Sequence, residues 1–409
     1  MSPEMDTKGK RFHRNVIVTG LTSFFTDVSS EMIYPLLQGF ISVIMMANTA
    51  LLGPVLGIIE GIAESTASLL KVFSGYYSDK MEKRKAPTII GYGLSWIAKF
   101  LFLFPFWITV LGARIFDRVG KGIRTAPRDA LISESTPKEQ QGKAFGFQRA
   151  MDFAGAFLGT VLCFIILKFI FPNIDNMTAP RDFYPIFIIS LVPAFFGVVI
   201  LFFVRETDGK TKADQNTNKP KPNLNFRKYD RDLQLFFLAQ FIFTLGNSSN
   251  QFLLLRSTNL GYALSDILLM YIVFNLTTSL FSTYFGKLSD KIGSRMLLSF
   301  GYLLYAVVYI AFGFLNKEHG YLLWVFWPIY GLYYAMTEGV EKAFVAKLAP
   351  KESKGTALGF YNTIVGIGLL PASIIAGFLF SLTPSAPFLF AGITTIIAIA
   401  IIRLSIKTN

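Results

Sequence analysis

Gly75-Tyr-Tyr-Ser-Asp79-Lys80 is matched by Gly286-Lys-Leu-Ser-Asp290-Lys291, which stands 211 residues further along the chain. A second pair of stretches follows at almost the same spacing, because Pro137-Lys-Glu-Gln-Gln-Gly142 returns 213 residues later as Pro350-Lys-Glu-Ser-Lys-Gly355. Chance rarely places several matches in the same order at nearly one spacing. The sequence therefore predicts an internal duplication with two related halves.

The composition around these stretches is typical of a membrane protein. Of the 409 residues, 52% are apolar and 16% are charged, whereas soluble globular proteins average about 25% charged residues. Apolar runs such as 267–280 and 387–402 recur along the chain, and a membrane-spanning helix needs about 20 such residues. We therefore predict an all-α membrane protein and exclude a disordered chain, a coiled coil and an ordinary soluble enzyme. A single cysteine, Cys163, and two histidines predict neither a disulfide framework nor a metal or haem cofactor.

Twelve membrane spans are predicted. They lie at 15–45, 49–78, 86–109, 110–134, 143–171, 182–204, 230–257, 263–288, 295–315, 320–347, 353–382 and 384–405. A hydropathy window alone would reject the fourth. The polar stretch 205–229 is predicted to be a cytoplasmic linker. It separates a first six-helix bundle, 15–204, from a second, 230–409, and residues 1–14 form a cytoplasmic tail.

The positive charge predicts the orientation of the chain. With a cytoplasmic N-terminus, 26 of the 39 Lys and Arg residues fall in cytoplasmic segments, and only Arg181 and Lys317 fall clearly in the opposite loops. This is the positive-inside bias of membrane proteins, and it places both termini in the cytoplasm. The net charge of +13 therefore needs no nucleic-acid partner.

The duplicated stretches also carry a family resemblance. They resemble the loop motif Gly-x-Leu-Ala-Asp-Arg-x-Gly-Arg-Lys of the major facilitator superfamily, and the chain resembles that family along its whole length. The second copy keeps Gly286, Leu288, Asp290, Lys291, Gly293 and Arg295. The first copy keeps Gly75, Asp79, Lys80, Lys83 and Arg84 but carries Glu82 where the last glycine is usual. The resemblance implies two pseudo-symmetric bundles that act as a monomeric secondary transporter in the bacterial cytoplasmic (inner) membrane. It implies conformational gating by Gly75, Asp79, Arg84, Asp129, Gly286, Asp290 and Arg295. The alternative is a solvated turn whose basic residues fix the topology.

A second motif of the family is matched in part. Gly146, Gly155 and Gly159 have the spacing of an exporter motif in the fifth helix, but Thr160 replaces its proline. Small residues also allow close helix packing in membranes. The motif therefore favours export only slightly.

Charged residues within the spans predict the functional site, because charge in a bilayer is costly unless it is paired or faces water. The fourth span has a charged stripe on one face, made of Arg114, Asp117, Arg118, Lys121, Arg124, Arg128 and Asp129. This stripe must face the protein interior. Arg118 followed by Gly122 resembles the arginine motif that the family links to proton coupling.

Within the first, second, fourth and fifth spans, seven acids balance seven bases, so the charge of the substrate is not determined. Some pairs must be structural, particularly Arg128 with Asp129. Lys99 is expected to be a snorkelling or paired lysine. Proton coupling is assigned to Asp27, Glu31, Glu64, Arg118 and Asp152. The substrate cavity is assigned to Tyr34, Glu60, Lys71, Arg114, Lys121, Arg149, Asn247, Gln251, Tyr271, Asn275, Tyr330, Tyr334 and Glu341.

These features predict a secondary active transporter, not an enzyme, that moves a small organic solute by alternating access. We expect its partners to be that solute, protons and membrane lipid, with export by antiport slightly favoured over symport. Two alternatives stay open. One is a ferroportin-like exporter of divalent metal ions that uses the hard oxygen ligands of Asp27, Glu31, Glu60 and Glu64. The other is a membrane receptor or scaffold without flux.

Overall fold

The computed structural model describes residues 12–81, 83–137, 140–170, 177–206, 229–350 and 354–406. Most of the predicted tail and linker lies outside these residues. Within them the chain forms fourteen α-helices and no strand. The helices are α1 Arg14–Ile33, α2 Leu37–Ile44, α3 Leu52–Met81, α4 Lys85–Ala98, α5 Trp107–Glu134, α6 Gln141–Ile165, α7 Tyr184–Leu201, α8 Arg231–Gly246, α9 Gln251–Asn259, α10 Leu264–Ile292, α11 Ser294–Phe314, α12 Leu323–Leu348, α13 Lys354–Leu382 and α14 Ala386–Ser405.

The first span of each half is interrupted. A short 3-10 turn, Tyr34–Leu36, separates α1 from α2 and contains Pro35, which cannot donate a backbone hydrogen bond. Residues 247–250 separate α8 from α9 and are all polar. With α1–α2 and α8–α9 each counted as one span, the fourteen helices form the twelve predicted spans.

Hydropathy identifies eight of these spans. In the described residues, eight helical segments are long and apolar enough to cross a membrane. The other four spans are α1–α2, α5, α8–α9 and α12, the first and fourth of each half. Only the weakness of the fourth span was expected from the sequence. Large apolar side chains such as Phe169, Phe314 and Leu382 are 75–79% exposed, as expected of residues that face lipid.

The helices pack as two bundles related by the duplication. In the first half, α1 packs on α6 and α7, and α5 packs on α3 and α4. In the second half, α14 packs on α8 and α11, and α12 packs on α10 and α11. The two halves meet where α3 contacts α13 and where α6 contacts α10. Since α3 corresponds to α10 and α13 to α6 in the duplication, the two contacts are equivalent by the pseudo-symmetry of the halves.

One end of the molecule gathers the beginnings and ends of both halves, and we call it the termini end. There Asn15 Nδ2 donates to Arg205 O over 2.9 Å, and Arg295 Nε donates to Ile402 O over 3.1 Å. We call the opposite end the far end. The turn that joins α2 to α3 lies there.

The halves are closely packed toward the far end. A Cβ atom added to Gly53 of α3 would lie 2.6 Å from the carbonyl oxygen of Gly377 in α13. One added to Gly61 would lie 2.9 Å from the carbonyl oxygen of Leu370. Ser65 Oγ donates to Gly366 O over 2.6 Å. The backbones of α3 and α13 therefore touch along much of their length.

Toward the termini end the described atoms of the two halves diverge. Cβ atoms added to Gly146 of α6, Gly286 of α10 or Gly339 of α12 would meet no atom within 4 Å. In the partly matched exporter motif, Gly155 and Gly159 instead pack closely on the α1 backbone. Among the described residues, the space between the halves is thus sealed at the far end and open toward the termini end.

Candidate functional site

A cavity of about 520 Å³ lies between the two halves. One wall is formed by α1, α3, α5 and α6. The other is formed by the α8–α9 break, α10, α12 and α13. The four spans that hydropathy does not identify all contribute to this lining. A helix that lines a polar cavity needs fewer apolar residues than one that faces lipid on all sides, which explains their low hydropathy.

Charge is concentrated on the wall of the first half. Its charged lining residues are Asp27, Glu31, Glu64, Lys99, Arg114, Asp117, Arg118, Lys121, Arg124, Arg149 and Asp152. Glu338 is the charged lining residue of the second half. The other polar lining residues of that half are Asn247, Ser248, Ser249, Asn250, Tyr271, Asn275, Thr278 and Tyr334. Six acids and six bases line the cavity, so its formal charge is zero.

A buried ion pair anchors the charged wall. Arg114 of α5 donates from Nε to Glu60 Oε1 and from Nη2 to Glu60 Oε2 of α3, each over 2.8 Å. Arg114 also lies 3.4 Å from Glu64 Oε1, which pairs with Arg118 at 2.8 Å. Glu60 is fully buried. Bidentate geometry of this kind holds both side chains rigidly.

Neutral hydrogen-bond donors of the second half contact this charged wall. Ser249 Oγ donates to Glu60 Oε2 over 2.8 Å and lies 3.2 Å from the Tyr34 hydroxyl. Gln251 Nε2 donates to Tyr34 O over 2.7 Å. We call Tyr34, Glu60, Ser249 and Gln251 the far latch, since their contacts join the halves. Ser249 lies in the break between α8 and α9, and this break brings it within reach of Glu60 and Tyr34.

Glu31 makes a further contact between the halves. The Tyr271 hydroxyl of α10 donates to Glu31 Oε2 over 3.1 Å. On the termini side, Arg149 of α6 pairs with Glu338 of α12. This is the only ion pair between the halves in the described part of the chain. Its side chains are 50% and 39% exposed, in contrast to the buried far latch.

Six charged lining residues make no ion pair within 4.0 Å among the described residues: Asp27, Glu31, Lys99, Asp117, Lys121 and Arg124. Of these, Glu31, Lys99 and Arg124 make side-chain hydrogen bonds instead. Lys99 is only 3% exposed and donates to Ser29 Oγ over 2.5 Å and to Ser30 Oγ over 3.1 Å. It therefore faces the interior, and in the described part of the chain two serine hydroxyl groups hold it, in place of the expected snorkelling or ion pairing.

The predicted pairing of Arg128 with Asp129 is confirmed, with Nη2 2.9 Å from Oδ1. Arg128 also lies 4.0 Å from Asp152. Arg124 contacts α4 of the same half. It donates to Ser95 Oγ, and its guanidinium carbon lies 4.2 Å from the Tyr92 ring centroid.

Some residues assigned to the cavity lie elsewhere. Described residues outside its lining are Glu60, Lys71, Gln251, Tyr330 and Glu341. Tyr330 is buried behind the wall and donates to Asn250 Oδ1 over 2.7 Å. Glu341 is bonded by Tyr302 and Tyr361 within the second half.

Other lining residues were not assigned from the sequence: Lys99, Asp117, Arg124 and Glu338. Glu338 follows Tyr334 by four residues, which places both on one helix face. That spacing could have identified it.

The predicted gating residues make no described contact between the halves. The side chain of Asp79 and the surroundings of Gly75 lie outside the described part of the chain. Arg84 Nη2 lies 3.1 Å from Glu134 Oε1 of the same half. Asp290 is exposed, and Arg295 binds carbonyl groups at the end of α14.

The donor set gives no support to a metal site. The described residues contain no cluster of three or more His, Cys, Asp or Glu side chains that could hold a metal ion. The four acids named for a metal exporter are separated in their contacts, since Glu60 and Glu64 pair with arginines and Glu31 binds Tyr271.

Comparison with known proteins places these features in context. The sequence profile of the Major Facilitator Superfamily matches residues 19–255 and 236–409. An uncharacterized MFS-type transporter of Methanocaldococcus jannaschii, MJ1317, is 37% identical over 399 residues, which cover 95% of this chain and 94% of that protein. The quinolone resistance protein NorA of Staphylococcus aureus is 27% identical over 140 residues, 34% of this chain and 36% of its own length.

Solved structures share the fold at low sequence identity. The D-xylose-proton symporter superposes with a TM-score of 0.76 at 17% identity and covers 97% of this chain and 99% of its own. The nucleoside transporter NupG superposes with a TM-score of 0.73 at 13% identity, over 96% of this chain and 100% of its own.

Proposed function

The chain belongs to the major facilitator superfamily, and on that premise we propose that it is a proton-coupled secondary active transporter of a small organic solute. It works by alternating access in the cytoplasmic membrane, with both termini in the cytoplasm. The observation that carries this proposal is the cavity between the halves, which is sealed by the buried far latch and open toward the termini end. Transporters built from repeats bind their substrates near the midplane at such a repeat interface.

The cavity wall of the second half supports an organic solute. Its asparagine and tyrosine side chains offer hydrogen bonds and aromatic faces without net charge. Volumes of about 300–1,000 Å³ are usual for pockets that enclose small organic ligands, and the cavity falls in that range. On the wall of the first half, Lys121 and Asp27 have no ion-pair partner within 4.0 Å among the described residues. They are the charged groups that we propose contact the solute.

Proton coupling requires a carboxyl group whose surroundings change when the halves move. Alternating access is largely a rigid-body movement of one bundle against the other. A group bonded within its own half keeps its partners, whereas a group bonded across the interface loses them. Glu31 meets this condition through Tyr271. We therefore place coupling first at Glu31, with Asp27, Glu64, Arg118 and Asp152 as its neighbours in the charged wall.

We favour export as the direction of transport. With cytoplasmic termini, the open side of the cavity faces the cytoplasm, so a solute can load from inside. The partial similarity to a quinolone resistance protein and the partial glycine motif of α6 support the same direction. Proton antiport would then drive the solute outward.

The proposal is tested on purified protein in two steps. A thermal-shift screen of organic anions, lipophilic cations, zwitterions and divalent metals identifies a ligand, since a ligand at 100 times its Kd stabilises by about 2.7 kcal/mol. Proteoliposomes then measure uptake of that ligand under an imposed proton gradient. We expect the gradient to drive accumulation in the wild type, and Glu31→Gln to retain exchange at equilibrium but lose accumulation.

Glu318→Gln, a change in an exposed loop, is the matched control and should behave as the wild type. Accumulation that ignores the gradient in the wild type would contradict proton coupling. Binding without any flux would instead favour a receptor, and a response to metals alone would favour a metal exporter.

A further inference from the structure

The second half contains a buried carboxyl group that does not belong to the cavity. Glu341 lies on α12, is 8% exposed and is not among the cavity-lining residues. Its partners come from three other helices. Tyr302 of α11 lies 2.8 Å from Oε1, Tyr361 of α13 lies 2.5 Å from Oε2, and Gln240 of α8 lies 2.7 Å from Tyr302.

Counting hydrogens in this group gives an unexpected result. The Tyr302 oxygen contacts Gln240 Oε1 and Glu341 Oε1, which are both acceptors, but a phenol has only one hydrogen to donate. If Tyr302 donates to Gln240, the contact with Glu341 needs a hydrogen from the carboxyl group itself. A protonated Glu341 supplies it. Each of the three contacts is then a proper hydrogen bond.

The opposite assignment is unfavourable. If the Gln240 amide were turned, its nitrogen would donate to Tyr302, and Tyr302 would donate to an ionised Glu341. The carboxylate would then be buried with two neutral donors and no cationic partner within 4.0 Å in the described part of the chain. Burial of an unpaired charge is costly. The neutral acid is therefore the favoured form.

The charged and titratable groups around Glu341 do not change this conclusion. Tyr302 and Tyr361 face it from α11 and α13, and Gln240 faces it from α8. On α12 itself Tyr333 is buried, Lys342 is exposed, and Glu338 pairs with Arg149 at the cavity. Tyr302 is held in place because its ring stacks on Phe243 with centroids 4.1 Å apart.

We propose that Glu341 is a resident proton-binding site of the second half, occupied in this conformation and distinct from the coupling site. The partners of its carboxyl group all belong to the second half, so a rigid-body movement of the halves leaves its surroundings unchanged. The proton therefore stays bound through the cycle. Its role is to join α8, α11, α12 and α13 into one unit.

Infrared spectroscopy of the reconstituted protein tests this assignment without any substrate. We expect a carbonyl band of a protonated carboxyl group that is absent from Glu341→Gln. Tyr361→Phe removes one donor to that carbonyl, so it should shift the band to higher frequency without removing it. A wild-type spectrum with the same protonated-carboxyl bands as Glu341→Gln, or no shift in Tyr361→Phe, would overturn the assignment.

Thermal unfolding and transport separate a resident proton from a coupled one. Gln resembles the neutral acid, so Glu341→Gln should fold as the wild type at neutral pH and keep proton-driven accumulation. As the pH rises above the range in which an unfolded glutamate is protonated, the wild type should lose stability relative to the variant, until Glu341 releases its proton in the folded protein. If a well-folded Glu341→Gln protein lost accumulation, Glu341 would have a role in coupling, and the proposal that its proton stays bound through the cycle would be refuted. Because the infrared result does not depend on flux, it stands or fails separately from the proposed function.

Discussion

The Tyr271 hydroxyl of the second half donates a hydrogen bond to Glu31 Oε2 of the first half, over a distance of 3.1 Å. The bond crosses the interface along which the halves separate in the proposed transport cycle. Glu31 is otherwise surrounded by α1 and the charged wall of the cavity. A movement that opens the far end must therefore remove a donor from this carboxyl group.

Tyr271→Phe removes that donor but keeps the ring. A hydrogen bond to a charged group contributes about 1.5–3 kcal/mol, which corresponds to about one to two pH units. Since the donor favours the carboxylate, we expect its loss to favour protonation and to move the pH profile of transport to higher pH by about that amount. Initial rates in proteoliposomes across pH measure the shift. Tyr284→Phe, on the exposed face of α10, should leave the profile in place, and an unmoved profile in Tyr271→Phe would exclude Glu31 as the coupling group.

The buried pair of Arg114 and Glu60 should dominate the stability of the first half. Removal of one partner of a buried ion pair costs about 3–5 kcal/mol, because the other charge stays uncompensated. Arg114 keeps Glu64 as a second partner at 3.4 Å, so we expect Glu60→Gln to lower the free energy of unfolding by the lower end of that range, about 3 kcal/mol, and Glu60→Leu with Arg114→Met to recover much of it. Asp129→Asn breaks a pair whose acid is 41% exposed, so it should cost only about 0–1 kcal/mol. Denaturant unfolding in detergent measures all of these, and equal costs for Glu60→Gln and Asp129→Asn would contradict the assignment.

Close packing of α3 on α13 should keep the far end shut. Gly61→Ala inserts a methyl group 2.9 Å from the Leu370 carbonyl oxygen and 3.2 Å from Ser373 Cβ, so the helices must move apart. We expect the variant to have lower thermal stability. A cysteine introduced into the cavity should also react faster with a thiol reagent that is added on the side of the far end. Overpacking typically costs about 1–3 kcal/mol. Gly93→Ala on α4 meets open space and should change neither quantity, so a parallel response of the two variants would count against this seal.

The exposed pair of Arg149 and Glu338 should control rate, not stability. Exposed ion pairs contribute about 0–1 kcal/mol, so neither Arg149→Glu nor Glu338→Arg should lower the melting temperature much. Each single change places like charges across the termini side and should alter the transport rate. We expect the double exchange, Arg149→Glu with Glu338→Arg, to restore the wild-type rate. Failure of the double variant to recover, with both single variants impaired, would show that the residues do not act as a pair.

The sequence was most informative where chemistry and periodicity agreed. The charged stripe of α5 could belong only to a helix that faces the interior, and Arg114, Arg118 and Lys121 line the cavity as this stripe requires. Glu341 shows the limit of the same reasoning. It shares a helix face with Tyr334, but a face of α12 is wide enough to meet both the cavity and the neighbouring helices. Which side a given carboxyl group takes depends on the packing of α11 and α13.

Interruptions of the helices were not predicted, although their residues are visible. Pro35 lies in the turn that separates α1 from α2, and the polar run 247–250 separates α8 from α9. Ser and Asn side chains compete with backbone hydrogen bonds, but such residues also occur in continuous helices. The far latch shows why this break is useful, since Ser249 reaches Glu60 from the other half. A contact between halves of this kind depends on tertiary packing and has no local sequence signal.

The seven residues of the charged stripe of α5 also bear on how the protein is made. Each Asp, Lys or Arg at the centre of a lone helix opposes membrane insertion by about 2.5–3.5 kcal/mol, so α5 cannot enter lipid as an independent segment. Arg124 is bound by Ser95 and Tyr92 of α4, and Arg114 is neutralised by Glu60 of α3. These helices precede α5 along the chain and are synthesised first. We therefore expect α3 and α4 to remain at the insertion machinery until α5 emerges, so that their side chains can pair with the charges of α5 before it enters the bilayer.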